Sequence, residues 1–233
     1  MKRLVVFDTP YYVKLGDKDK QKQNKMLSGL KEHLALQRSL QRTKTSIKDI
    51  ILCNHFEHFC TFTFADHRDD VEVCKARMQY WLKSQQKLHG SFEYLIVPEF
   101  HKDGKSLHFH ALFRGYRGQL KPAVSSKTGK ELFSHAGYQI FDIVSYRSGF
   151  GEAAKIEQSD ESRSKVANYV TKYITKDMPQ FFGKKRYWVS RSLVRPLRNS
   201  NVDPSVYYGD ESAAVFPSDG YTTYVVNNKN NYW

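Results

Sequence analysis

Apolar residues recur at alternate positions through two runs in the middle of the chain, Phe92 to Phe100 and Ser106 to Arg114. A period of two places successive side chains on opposite faces of a strand, so the pattern predicts a pair of strands. The segment between them, His101-Lys102-Asp103-Gly104-Lys105, contains the Asp-Gly turn signal of a hairpin. His58 to Ala65 alternates in the same way and predicts a further strand, with others at Tyr138–Tyr146, near Glu152–Glu157 and at Arg186–Leu193. Between the strands the period changes. Cys74, Met78, Trp81, Leu82 and Leu88 follow helical spacing from about Asp69 to Leu88, and Gly90 ends that helix.

A second helix is predicted from about Ser162 to Lys176, with Pro179 after its end. The N-terminal region begins with a short apolar run, Leu4-Val5-Val6-Phe7, which could form a strand. From Asp17 to about Ile51 it is basic and reads as a helix, on which Leu27, Leu30, Leu34 and Leu40 give a partial apolar stripe. Residues 115–137 read as a loop-rich excursion. Beyond Pro196 the chain is polar, aromatic and Asn-rich, with no regular structure predicted. Strands interspersed with helices in this order make an α+β fold. The organisation expected is a basic arm over 1–50, a folded domain over 51–200 and a polar aromatic tail over 201–233.

The hairpin concentrates candidate chemistry. If Asp103-Gly104 is a two-residue turn, Lys102 pairs with Lys105 and Glu99 falls opposite His108. Glu99, His108 and His110 then share one face, while Phe92, Tyr94, Ile96 and Pro98 face Leu107, Phe109, Ala111 and Phe113 on the other. Sliding the pairing by two residues would bring His101 opposite His108, so His101 is a reserve ligand or an outer partner. Two imidazoles and a carboxylate can hold a divalent cation with coordination positions left open, and Mg²⁺ or Mn²⁺ suits that set. Two hydrogen-bonded strand histidines would produce the same His-x-His spacing without a metal. His55 and His58 read as structural or surface residues.

The second helix carries Tyr169 and Tyr173, four apart and on one side, with Lys172 between them. Val166, Ala167, Val170 and Ile174 fall on an aliphatic arc; Lys165, Lys172 and Lys176 fall on a basic one. The tyrosines lie at the border, so the helix can pack on the sheet and still present phenols to a basic surface. A phenol with a pKa near ~10 is a weak nucleophile at neutral pH. A neighbouring lysine and a metal-polarised phosphate would both favour its attack.

Composition narrows the partner. The 233 residues hold 37 Lys plus Arg against 24 Asp plus Glu, a net charge of +13, with 14% aromatic side chains. Charge of that sign draws a polyanion, and the aromatics suit base stacking with single-stranded nucleic acid. Cys53, Cys60 and Cys74 show no Cys-x-x-Cys spacing and read as reduced thiols. A membrane-spanning apolar stretch and a GxxxxGK[ST] phosphate loop are both missing, so neither a membrane partner nor a built-in helicase motor is expected.

Three motifs in order resemble the HUH endonuclease superfamily, specifically the rolling-circle replication initiators (Rep proteins) of bacterial plasmids and small phages. Phe59-Cys60-Thr61-Phe62-Thr63-Phe64 resembles the first strand motif. Glu99 to Gly104 followed by His108-Phe109-His110-Ala111 resembles the metal-binding motif, although the Glu99–His108 spacing is one residue longer than in some relatives. Tyr169-Val170-Thr171-Lys172 and Tyr173-Ile174-Thr175-Lys176 resemble two overlapping copies of the YxxK nucleophile motif.

The resemblance covers roughly residues 39–198 and implies a central five-stranded antiparallel sheet related to the RNA-recognition fold, with helices packed on it. It implies His108, His110 and Glu99 as ligands of Mg²⁺ or Mn²⁺, and Tyr169 and Tyr173, aided by Lys172 and Lys176, as the catalytic groups. Lys184, Lys185, Arg186, Tyr187, Trp188 and Arg191 would contact DNA. The reaction implied is site-specific nicking and rejoining of single-stranded DNA at a replication origin through a 5′-phosphotyrosine. Host helicase and polymerase would be partners, in the cytoplasm of a bacterial cell. A relaxase or transposase of the same superfamily, or a non-catalytic nucleic-acid-binding repressor, are the alternatives.

Overall fold

The computed structural model describes residues 2–7, 24–134, 137–175, 178, 186–196, 213–218 and 221–226. The chain divides into two compact units, one formed by residues 1–35 and 195–233 and the other by residues 36–194. In the first unit three strands, β1 (Lys2–Phe7), β9 (Ala213–Ser218) and β10 (Tyr221–Val226), form an antiparallel sheet in the order β1-β10-β9. The apolar run at Leu4 thus does form a strand. The partners that pair with it lie in the region for which the sequence predicts no regular structure.

The second unit is built on a seven-stranded antiparallel sheet. Its strands are β2 (His58–Phe62), β3 (Glu93–Phe100), β4 (Leu107–Arg114), β5 (Leu120–Pro122), β6 (Ile140–Ile143), β7 (Gly151–Lys155) and β8 (Trp188–Val189), in the order β5-β6-β7-β2-β4-β3-β8. This corrects the count of five. The two additions are the edge strands β5 and β8, three and two residues long, too short to display an alternating pattern. Pro122 is tolerated because an edge strand need not donate from every N–H.

Helix α2 (Val71–His89) packs on one face. Asp70 caps its start, its carboxylate accepting from the N–H groups of Glu72 and Val73 at 3.0 and 3.1 Å. Gly90, at φ +86°, ends it by donating to the Gln86 carbonyl. Cys74, Met78, Trp81 and Leu82 of α2 meet Cys60, Phe62, Ile96, Phe109, Ala111 and Phe113 of the sheet in one buried core. That face is the apolar one the sequence predicts.

The opposite face is also covered. Helix α1 (Asn24–Cys53) contributes Leu40, Ile47, Ile50 and Ile51 to a second core. Helix α3 (Asp160–Thr171) adds Ala167 and Val170, and the sheet supplies Leu95, Val97 and Leu112. Ser159 caps α3 by accepting from the Ser162 N–H at 3.1 Å. This second face carries the candidate ligands, and α3 brings the tyrosines to it.

Candidate active site

The β3–β4 ladder runs from Glu93↔Arg114 to Phe100↔Leu107, so Glu99 faces His108 and Val97 faces His110. This is the predicted register, although the turn is more elaborate than a two-residue one. His101 N–H donates to Ser106 O at 2.7 Å and Gly104 N–H to His101 O at 2.8 Å, so the reversal occupies residues 101–106. The Asp103 carboxylate accepts from the N–H groups of Lys105 and Ser106 and from the Ser106 hydroxyl. Those bonds hold its acidity well below the usual carboxylate range. Gly104 lies at φ +69°, where a side chain is strained. The loop length keeps the strand parity, and the two strands therefore present Glu99, His108 and His110 on one face.

His110 is 7% exposed, and both of its ring nitrogens are engaged. Nε2 lies 2.8 Å from Glu99 Oε2, and Nδ1 lies 3.3 Å from the hydroxyl of Thr61, its cross-strand partner on β2. The ring of His108 sits beside that of His101, with centroids 5.0 Å apart. Burial, then the neighbouring His101, lowers the His108 pKa and favours the neutral ring. Glu99 and His110 are thus brought into contact, His108 lies across the ladder from Glu99, and His101 is next to it. Among the described residues no three His, Cys, Asp or Glu side chains converge on a common point. The donor set nevertheless fits a divalent cation: one carboxylate and two imidazoles on adjacent strands, with His108 biased toward its neutral, ligating form.

Tyr169 stands in the last turn of α3 and is 46% exposed. The α-helix stops at Thr171, short of the predicted Lys176, and Tyr173 follows in a tighter turn. The Thr171 hydroxyl donates back to the carbonyls of Ala167 and Asn168, both at 3.0 Å. The N–H groups of Lys172, Tyr173 and Ile174 bond three residues back instead of four. A hydroxyl that competes for helix carbonyls and a switch to i→i+3 bonding both mark a helix end.

The tyrosines still meet. Their rings are 5.4 Å apart and nearly perpendicular, and the two phenols are hydrogen-bonded. Tyr173 lies flat on His110, with centroids 3.8 Å apart and planes 8° from parallel. Phe59 completes the cluster, stacked 5.8 Å from His110 and edge-on to Tyr169 at 5.4 Å. Burial raises the Tyr173 pKa, and the bond to Tyr169 and the Glu99 charge push it the same way. The Lys172 ammonium lies 5.6 Å from the centre of the Tyr169 ring. Lys176 lies outside the described residues.

Of the residues expected to touch DNA, Lys184 and Lys185 also lie outside the described residues. Arg186 donates to the Ser39 hydroxyl at 2.9 Å, and the Tyr187 hydroxyl bonds that of Ser46 at 3.0 Å, both on α1. Trp188 stacks on Phe109 at 5.4 Å within β8. These three half-buried side chains hold the unit together, whereas Arg191 is exposed. Thr61 and Phe59 belong to the first strand motif, but sequence reasoning assigns them no individual role. Their parity on β2, shared with His110 on β4, is the signal that places them at the site.

Residues 57–178 match the sequence model of a family of replication-associated proteins, that of the ORF2 and gene 2 proteins. No curated protein and no solved structure matches the chain. The matched segment is more than half of the 233 residues. It includes β2, the β3–β4 hairpin and α3, and with them Glu99, His108, His110, Tyr169 and Tyr173. The chain belongs to this replication-associated protein family.

Proposed function

We propose that this protein is an HUH-type endonuclease that initiates rolling-circle replication by nicking and rejoining single-stranded DNA at an origin. The observation that carries the proposal is the contact between Tyr173 and His110: the nucleophile segment lies directly on a proposed metal ligand. Family membership supports a role in replication, and net charge supports a nucleic-acid partner.

His108, His110 and Glu99 would hold Mg²⁺ or Mn²⁺, which supplies polarisation of a phosphate oxygen at the scissile bond. A phenol oxygen of Tyr169 or Tyr173 attacks the phosphorus, the bond to the 3′ oxygen breaks, and the phenol proton leaves as that oxygen becomes a 3′-OH. The 5′ end stays on the tyrosine as a phosphodiester. Rejoining is the reverse: a 3′-OH attacks the phosphotyrosine and the phenol is released. Lys172 places positive charge beside Tyr169, where phenolate character develops. The Thr61 hydroxyl, by engaging His110 Nδ1, fixes which ring nitrogen faces Glu99. The two hydrogen-bonded phenols suit alternation between successive cleavage and joining steps, with Lys176 serving Tyr173 as Lys172 serves Tyr169. Arg191 and the basic segment at Lys184 would track the strand. Unwinding and synthesis would fall to host helicase and polymerase in the bacterial cytoplasm.

The test is covalent capture. Incubation with origin-strand oligonucleotide and Mn²⁺ is expected to give a protein–DNA adduct whose peptide mass locates the nucleotide on Tyr169 or Tyr173. Each single Tyr→Phe variant should retain one cleavage and lose repeated cycles. The Tyr169→Phe/Tyr173→Phe double variant should give no adduct; if it still does, the tyrosine assignment is wrong.

A further inference from the structure

We propose that the α2 side of the sheet carries a second contact for single-stranded DNA, centred on Arg147 between the exposed rings of Tyr80 and Phe150. The choice of polymer rests on the replication reading above; the surface itself does not involve the tyrosines or the histidines.

Two clefts meet at Arg147. The first, about 420 Å³, lies between the α2 side chains Arg77, Tyr80 and Ser84 and the loop residues Arg147 and Ser148. The second, about 610 Å³, continues from Arg147 past Phe150 to Lys121 and Lys127, with Asp142 and Glu152 also in its lining. Both adjoin the first core through Trp81 or Tyr146, and so lie on the face away from Tyr169 and Tyr173.

Tyr80 is 77% exposed and Phe150 76%, the two highest values among the exposed large apolar residues of the described chain. One exposed ring is ordinary on a protein surface. Two rings flanking an arginine in adjoining clefts make a pattern that suits stacked bases and a phosphate. Arg77 is committed to an ion pair with Asp66. Among the described residues Arg147, Lys121 and Lys127 have no ion-pair partner.

The exposure of Phe150 is built in. Thr63 N–H donates to Phe150 O at 2.8 Å, and Phe150 N–H donates to the Thr63 hydroxyl at 3.2 Å. Ala65 N–H donates to Ser148 O at 2.9 Å, and the Tyr146 hydroxyl donates to Thr63 O at 3.0 Å. At Gly149 a Cβ would come within 2.3 Å of the Thr63 carbonyl oxygen, so the loop approaches the chain after β2 as closely as glycine allows. A ring presented on so firm a base loses little freedom on binding. The carboxylates of Asp142 and Glu152 disfavour a purely anionic ligand such as a lipid headgroup array. They suit base amino groups, which a nucleic acid supplies together with phosphates.

The experiment compares wild type with Tyr80→Ala, Phe150→Ala and Arg147→Glu on single-stranded oligonucleotides, from one spanning only the cleavage site upward in length. Affinity is read by fluorescence anisotropy, and adduct formation on the shortest strand is read in parallel as the separate test of the tyrosine chemistry. The wild type is expected to gain affinity once the strand is long enough to reach the second face. Each aromatic variant should lose about tenfold of that gain, and Arg147→Glu should also flatten the salt dependence by roughly 0.7 in log–log slope. An equal gain with length in all four proteins overturns the proposal. So does a change of oligomeric state in the variants with DNA affinity intact, which would make this a surface between copies of the chain. All three residues are exposed, and matching thermal transitions confirm that folding is unchanged.

Discussion

Asn54 shows how much a single buried amide can organise. It is fully buried at the end of α1, and its Nδ2 donates to the carbonyls of Ile50 at 2.7 Å and Val194 at 2.9 Å. Its Oδ1 accepts from the Val194 N–H at 3.1 Å, so the side chain pairs with residue 194 much as a neighbouring strand would. Asn54→Ala should cost about 2 kcal/mol, the net worth of these bonds plus the penalty for groups left unpaired. Urea titration should show a lower midpoint with an unchanged slope. The cysteines make a second residue-scale case. Burial pushes the Cys74 thiol up to about 11 from an ordinary 9.0 and raises Cys60 further still. A raised pKa means that the folded state keeps the proton after the unfolded state has released it. This contribution to stability is complete below pH 9 and is lost as pH climbs through about 11 for Cys74. Denaturation midpoints should therefore fall across that window. Thiol-labelling at about pH 8, below the ordinary thiol range, should leave Cys60 and Cys74 unmodified until the protein unfolds. Rapid labelling of both in the native state would contradict their burial.

At the scale of elements, the site depends on three strands and a helix end agreeing in register. β2 supplies Thr61, β4 its partner His110, and β3 the Glu99 that meets the other ring nitrogen. Thr61→Val keeps the shape and removes the hydroxyl. If His110 holds a cation, the variant should bind Mn²⁺ about tenfold more weakly, as measured by calorimetry. Thr61→Ser should recover most of the loss, and equal affinity in all three proteins would leave Thr61 without a role. The register of the hairpin was legible because parity and an Asp-Gly turn point the same way, and the six-residue reversal did not alter that parity. The second core was harder to read. Leu95-Ile96-Val97 and Ala111-Leu112-Phe113 are unbroken apolar runs, the mark of strands buried on both faces, yet the alternating pattern around them suggests one face only. The end of α3 depends on which carbonyls the Thr171 hydroxyl takes, and helical periodicity does not record that choice. Arg186, Tyr187 and Trp188 look like a DNA-binding stretch by composition; their contacts with α1 and Phe109 arise from tertiary packing that no local pattern encodes.

For the molecule as a whole, the net charge of +13 and the paired cores divide the work between two kinds of interaction. The charge acts on the nucleic-acid backbone without reference to sequence and is screened by salt. The Glu99–His110–Tyr173 constellation acts on one phosphodiester. These contributions should separate experimentally. Binding to single-stranded DNA should persist when divalent cations are removed with EDTA, and its affinity should fall with salt at about 0.7 in log–log slope for each phosphate engaged. Five or more contacts would give a slope steeper than roughly −3 on the same principle. Adduct formation should instead require Mn²⁺ or Mg²⁺ at every salt concentration. A His110→Ala variant should bind DNA with an unchanged salt slope and form no adduct. A protein that binds DNA equally with and without metal, and forms no adduct in any divalent cation, would be acting as a repressor. The same titration therefore decides between the nicking enzyme and the binding module.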